Sequence, residues 1–85
     1  MAQDPLRQLA HIVRQARGAK GYSVRGLASN VRKKDGEFIG GSYITDIEKM
    51  RGVPSDVVAG QLATLLGLDQ ENFLALCAKA RAARR

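Results

Sequence analysis

The chain has 85 residues, 45% of them hydrophobic, with 14 Lys and Arg against 8 Asp and Glu and a formal net charge of +6. That length makes one small domain with a limited core, and the apolar fraction excludes a disordered tail. The positive balance points to polyanions as partners: DNA, RNA or an anionic membrane surface.

Cys77 is the single cysteine. It excludes an internal disulfide and a Cys-rich zinc site, and among apolar neighbours it reads as a small core hydrophobe. No apolar run approaches the ~18 residues that span a bilayer. Met1 to Pro5 shows no basic region leading into an apolar stretch, so no secretion signal is read and a cytoplasmic protein is expected. The expected organisation is one domain over residues 1–85, ordered from about 5 to 78 and followed by a basic tail at 79–85.

Asp4-Pro5 predicts a helix start, an N-cap oxygen followed by Pro at the first position. Leu6, Leu9, Ile12, Val13 and Ala16 then form an amphipathic stripe. Gly18 and Gly21 are expected to end it, with Gly21 in a left-handed conformation. Ser23 caps a short second helix with Val24, Leu27, Ala28 and Val31 on its apolar face. Arg32 to Glu37 is charged, contains Asp35-Gly36 and reads as a loop. Phe38 and Ile39 return to apolar contacts before Gly40-Gly41.

A third helix is expected over Ser42 to Glu48, with Tyr43, Ile44 and Ile47 on one side and Ser42, Thr45, Asp46 and Lys49 pointing elsewhere. Met50 to Pro54 is a connector stopped by Gly52 and Pro54. Ser55 caps a fourth helix with Val58, Leu62, Leu65 and Leu66 at core spacing, closed by Gly67. Asp69 caps a fifth, apolar at Phe73, Leu74, Leu76 and Cys77. Its end carries Lys79, Arg81, Arg84 and Arg85, where the helix dipole favours cations. No strand-like alternation and no internal repeat occur.

From Gly21 to Ser55 a capped helix, a loop and a second short helix with a polar outward face make a helix-turn-helix arrangement, whose second helix enters the major groove. The residues that fill it are Leu9, Ile12-Val13 and Arg17, then Lys20 to Ala28, then Ser42-Tyr43-Ile44-Thr45-Asp46-Ile47-Glu48. Arg51, Pro54-Ser55, Leu62-Ala63 and Leu66 to Asp69 continue the series. In this combination the chain, to about Phe73, resembles the phage-repressor-like (Xre) helix-turn-helix family. The resemblance implies an all-α, compact five-helix bundle with an extended turn, helix 41–49 as recognition helix, and a homodimer on a pseudo-palindromic operator. The chain departs from the family pattern in four places. Arg32 to Phe38 lengthens the turn. Gly40 replaces the usual Ser or Thr cap. Val24 stands where Gln often contacts phosphate, and Gly41 stands where a base-reading side chain is common.

Gly41, Ser42, Thr45 and Asp46 are the positions expected at base edges. Hydroxyls bond several bases and a carboxylate accepts from cytosine N4; the rival reading of Asp46 is an ion pair with Arg51 or Lys49. Ser23, Arg25, Lys33, Lys34, Tyr43, Lys49 and Arg51 are expected at phosphates, against the alternatives of a solvated basic loop for Lys33 and Lys34 and a packing role for Tyr43. Arg17 and Glu48 look like the family's internal ion pair. Phe73, Leu74, Leu76 and Cys77 offer a dimer interface, or else complete the monomer's core.

His11 is a lone histidine without partners, and no metal or other cofactor is expected. With no Gly-rich phosphate loop and no nucleophile–base pair, an enzyme is not expected. The rival to a DNA-binding repressor is an antitoxin-like or adaptor module that binds a protein partner through the apolar C-terminal helix. RNA binding lacks a spaced set of aromatic rings for base stacking.

Overall fold

A computed structural model describes residues 4–84 and shows five helices among them: α1 (Pro5–Lys20), α2 (Val24–Ala28), α3 (Gly41–Glu48), α4 (Asp56–Leu66) and α5 (Gln70–Ala83). Met1 to Gln3, on which the expectation of no secretion signal partly rests, and Arg85 of the expected tail lie outside the described residues. The all-α five-helix class expected from the sequence is the class observed.

Local chemistry explains most helix ends. Asp4 Oδ1 accepts from the Leu6 N–H at 3.0 Å with Pro5 at the first turn, and Gly21 closes α1 in the left-handed region at φ 77°. Gly18 does not end α1: the helix runs through it to Lys20, because Gly tolerates helical backbone at a cost of only about 1 kcal/mol. Ser23, Ser55 and Asp69 each cap their helix, accepting from the N–H of Gly26, Val58 and Asn72 respectively. Gly67 ends α4 at φ 69°. Val31, expected on α2, is buried just beyond it.

The five stripes meet in one core. Leu9 and Val13 of α1, Leu27 of α2, Ile44 and Ile47 of α3, Val58 and Leu62 of α4 and Cys77 of α5 are all essentially excluded from solvent. Helix α1 packs on α3, α4 and α5, while α2 packs on α3. The two helices of the expected motif are therefore fixed to each other and, through α1, to the rest of the molecule.

The segment read as a loop is a short, well-tied finger. Arg32 and Phe38 form an isolated antiparallel bridge. The Lys33 N–H donates to the Glu37 carbonyl at 2.7 Å, and Gly36, at φ 91°, makes the left-handed step at the tip. Val31 and Ile39 bury its base, and the Ile39 N–H donates to the Val31 carbonyl at 3.0 Å. From α4 the Gln61 amide clamps Arg32 on both sides: its Oε1 accepts from the Arg32 N–H at 2.9 Å and its Nε2 donates to the Arg32 carbonyl at 2.7 Å.

The boundary drawn at residue 78 does not mark a break. Helix α5 continues to Ala83, with Ala80 fully buried, so the first turn of the expected tail belongs to the bundle.

Candidate nucleic-acid interface

The outward face of α3 follows from what its other face must bury. Ile44 and Ile47 are locked in the core, and at about 100° per residue this turns Ser42, Asp46 and Lys49 to the opposite side. Ser42 and Lys49 are exposed, and Thr45 and Asp46 are half-buried. Gly41 falls on the side of α2, where a Cβ would touch Val24 Cγ1 at 3.5 Å and Arg25 Cγ at 3.7 Å. It brings no side-chain donor to the outward strip. Gly40 caps α3 with no side-chain hydrogen bond.

The helix is held at its far end by an ion pair. Arg17 Nε and Nη2 donate to Glu48 Oε2 and Oε1 at 2.7 and 3.0 Å, a two-pronged contact, and Arg17 Nη1 donates to the Tyr22 carbonyl at 3.0 Å. The two side chains are only 19% and 11% exposed. The Glu48 hydrogen bonds hold the Arg17 guanidinium above its ordinary pKa, burial works against that, and the Glu48 charge adds to it. The structure thus brings together the pair that the family resemblance implied, and it joins α1 to α3.

Asp46 takes its ion-paired form. Arg51 Nη2 lies 3.1 Å from Asp46 Oδ1, with the two side chains 60% and 47% exposed. The Asp46 carbonyl also accepts from the N–H groups of Arg51 and Gly52. Tyr43 packs against the core, and its hydroxyl oxygen accepts from the Ser55 N–H at 3.1 Å, leaving the hydroxyl hydrogen free to donate. It tethers the start of α4 to α3.

The expected phosphate-contact residues occupy two places. Ser23 and Arg25 stand exposed at the first turn of α2, and Lys49 and Arg51 stand exposed where α3 ends. Lys33 and Lys34 ride on the finger, away from that pair of helix ends in the chain but held at a fixed root. Below them Arg32 lies over the Phe38 ring at 4.2 Å, and Phe38 is 50% exposed. This is a cation–π contact at the surface.

Of the two readings of the C-terminal apolar residues, the described chain takes the core one. Phe73, Leu76 and Cys77 are 3%, 9% and 0% exposed and Leu74 packs partly against the same cluster, so they complete this chain's own core and form no free apolar patch. The reason is the register of α5, whose buried face is set by contact with α1 and α4. Burial pushes the Cys77 thiol up to about 11, with Arg81 acting to lower it and Asp56 to raise it.

Three features were not read from the sequence. Met50 adopts φ 63°, a left-handed residue without the glycine that usually signals one. Gly52 and Pro54, the expected helix stop, lie about one turn beyond the end of α3. The Gln61 clamp on Arg32 joins residues 29 apart and has no local signature. The third feature is the tie from α5 to the start of α4: Arg81 Nη2 donates to the Pro54 carbonyl at 2.9 Å and lies 3.7 Å from Asp56 Oδ1. Among the described residues no three His, Cys, Asp or Glu side chains gather at one point, and no helix is long and apolar enough to cross a membrane.

No curated protein and no solved structure matches the chain at a significant level. A family model described as a helix-turn-helix domain matches residues 8–76, from the first turns of α1 well into α5. Two short helices set against each other by a shared core, the second with a polar outer strip and cations at its end, are what that model spans, and the chain belongs to the helix-turn-helix domain family.

Proposed function

We propose that this protein is a cytoplasmic, sequence-specific DNA-binding transcriptional regulator of the phage-repressor-like (Xre) type, acting as a repressor. Helix α3 enters the major groove, and α2 lies across the sugar-phosphate backbone. The observation that carries the reading is the outward strip of α3, Ser42, Thr45, Asp46 and Lys49, held rigidly by Ile44, Ile47 and the Arg17–Glu48 pair behind it.

In this reading Ser42 and Thr45 present hydroxyls to base edges, and Gly41 contributes only close backbone approach. Asp46 reaches a cytosine N4 only by loosening from the exposed Arg51, so its larger part is to position Arg51. Ser23 and Arg25 at the start of α2, with Tyr43, Lys49 and Arg51 around α3, grip phosphates. Lys33 and Lys34 extend the grip through the finger. The net charge of +6 supplies the long-range attraction. Two copies bind a two-fold symmetric operator with half-sites about one helical turn, ~34 Å, apart. Repression follows from occupying the site.

Burial of Phe73, Leu76 and Cys77 in this chain's core supports the DNA-binding reading over an adaptor that docks a partner through those side chains. The decisive experiment is selection of bound fragments from genomic DNA at low salt, followed by titration of the recovered duplex. A recovered palindromic sequence whose binding weakens steeply with salt supports the proposal. Absence of any complex at low ionic strength removes it.

A further inference from the structure

The end of α5 comes back beside the recognition helix. Arg81 fixes it there through the Pro54 carbonyl, in the connector that follows α3, and Ala80 is fully buried beneath. One turn later Arg84, exposed and in no ion pair among the described residues, joins Tyr43, Asp46, Ile47, Gly52 and Val53 in lining a cleft of about 160 Å³. The cleft flanks the outward strip of α3 on the side of Tyr43 and Asp46.

The chemistry around the cleft favours an anion. The Tyr43 hydroxyl accepts from Ser55 and so keeps its hydrogen for a further acceptor. The one carboxylate at the rim, Asp46, is already matched by Arg51 at 3.1 Å. That leaves the Arg84 guanidinium as an unmatched positive charge beside a free hydroxyl donor. A guanidinium presents a planar fork of donors that suits phosphate oxygens.

We propose that this cleft receives a DNA backbone phosphate at the edge of the major groove, with Arg84 as its counter-charge and the Tyr43 hydroxyl as a second donor. The C-terminal helix is then part of the DNA-binding edge, and Arg81 is the residue that positions it. The inference rests on the DNA-binding reading above and adds a contact outside the two motif helices.

The test compares the wild-type protein with Arg84→Ala, Arg84→Lys and Lys49→Ala on the selected duplex across a range of salt. Arg84 is exposed, so its removal leaves the melting temperature unchanged, and that measurement accompanies each variant. Arg84→Ala is expected to weaken binding several-fold and to reduce the log–log salt slope by about one, the release of one phosphate contact. The preference between the selected site and a point-mutated site stays the same. Arg84→Lys restores most of the slope. If Arg84→Ala keeps wild-type affinity and slope while Lys49→Ala weakens binding, the cleft contact is overturned and the DNA-binding reading stands. If the wild-type protein binds no duplex, both fall together. A shift in sequence preference for Arg84→Ala would also overturn the phosphate assignment in favour of base contact.

Discussion

At the scale of single residues, Arg17 and Cys77 show how burial turns ordinary side chains into structural commitments. Arg17 gives two donors to Glu48 and a third to the Tyr22 carbonyl from a site that is less than one-fifth exposed. Removing one partner strands the other charge in a poorly solvated place. Glu48→Ala is therefore expected to lower unfolding stability by about 3 kcal/mol. Urea denaturation checks it, with a shifted midpoint and an unchanged slope. A loss below about 0.5 kcal/mol would place the pair with ordinary surface contacts.

Cys77 makes a pH prediction. Its folded thiol titrates at about 11 because burial penalises the thiolate, whereas an unfolded chain's thiol titrates near ~8.5. Below ~8.5 both states hold the proton and the contribution to stability is at its full value. As pH rises the unfolded state ionises first, so stability is lost progressively between ~8.5 and the folded value, at roughly 1 kcal/mol per pH unit. Unfolding free energies of the wild-type protein and Cys77→Ala, measured from pH 8 upward, should converge across that window. Parallel curves would sink the idea. The same burial keeps the thiol unreactive toward alkylating reagents until the chain opens.

At the scale of elements, α3 is marginal alone. It has eight residues, a glycine cap that makes no side-chain bond, and no cation in its last turn. Isolated helices of that length do not persist in water. Its stability comes from Ile44 and Ile47, buried in the core that α1 and α2 share with it, and from the Arg17 contact. The turn that ends it adds a penalty, since Met50 sits at φ 63° and is 43% exposed, so little packing offsets the strain. Met50→Gly should raise stability by up to about 1 kcal/mol, read as a higher melting temperature. A drop would show that Met50 contributes more by contact than its conformation costs.

The finger between α2 and α3 behaves differently. It replaces a short turn by a bridge, a glycine step and a side-chain clamp, which keeps Lys33 and Lys34 on a rigid root. The extended turn was legible as an interruption, because Arg32 to Glu37 breaks the apolar period. Its shape was not legible, since Gln61 lies a full helix later in the chain.

At the scale of the whole molecule, one core orients two surfaces. The bundle measures 35 × 28 × 22 Å, and α1 touches three of the other four helices. The core that seats α3 therefore also seats α2 and α5. Phosphate and base contacts should separate by experiment. The double change Lys33→Ala with Lys34→Ala is expected to lower affinity for every duplex about equally and to reduce the salt slope by up to about two. Ser42→Ala should leave the slope alone and relax preference at one base pair, worth about 1 kcal/mol for a single hydroxyl contact. Competition binding with selected and mutated duplexes at two salt concentrations distinguishes these outcomes. A sequence-dependent effect of the lysine pair would move the finger from phosphates to a groove.

The sequence alone determined the number, kind and approximate ends of the helices, the basic balance and the helix-turn-helix order. Those follow from caps, left-handed glycines and a period of three to four, all set by neighbours within one turn. The tertiary structure decided which face of each helix is spent on the core. It turned Phe73, Leu76 and Cys77 inward where the sequence left both a dimer surface and the monomer's core open, set Gly41 against α2, closed Asp46 onto Arg51 and brought Arg84 to the edge of α3. These arrangements depend on partners distant in the chain, such as Arg81 with Pro54 and Gln61 with Arg32. No local period encodes such partners, because only the packed core brings them within reach.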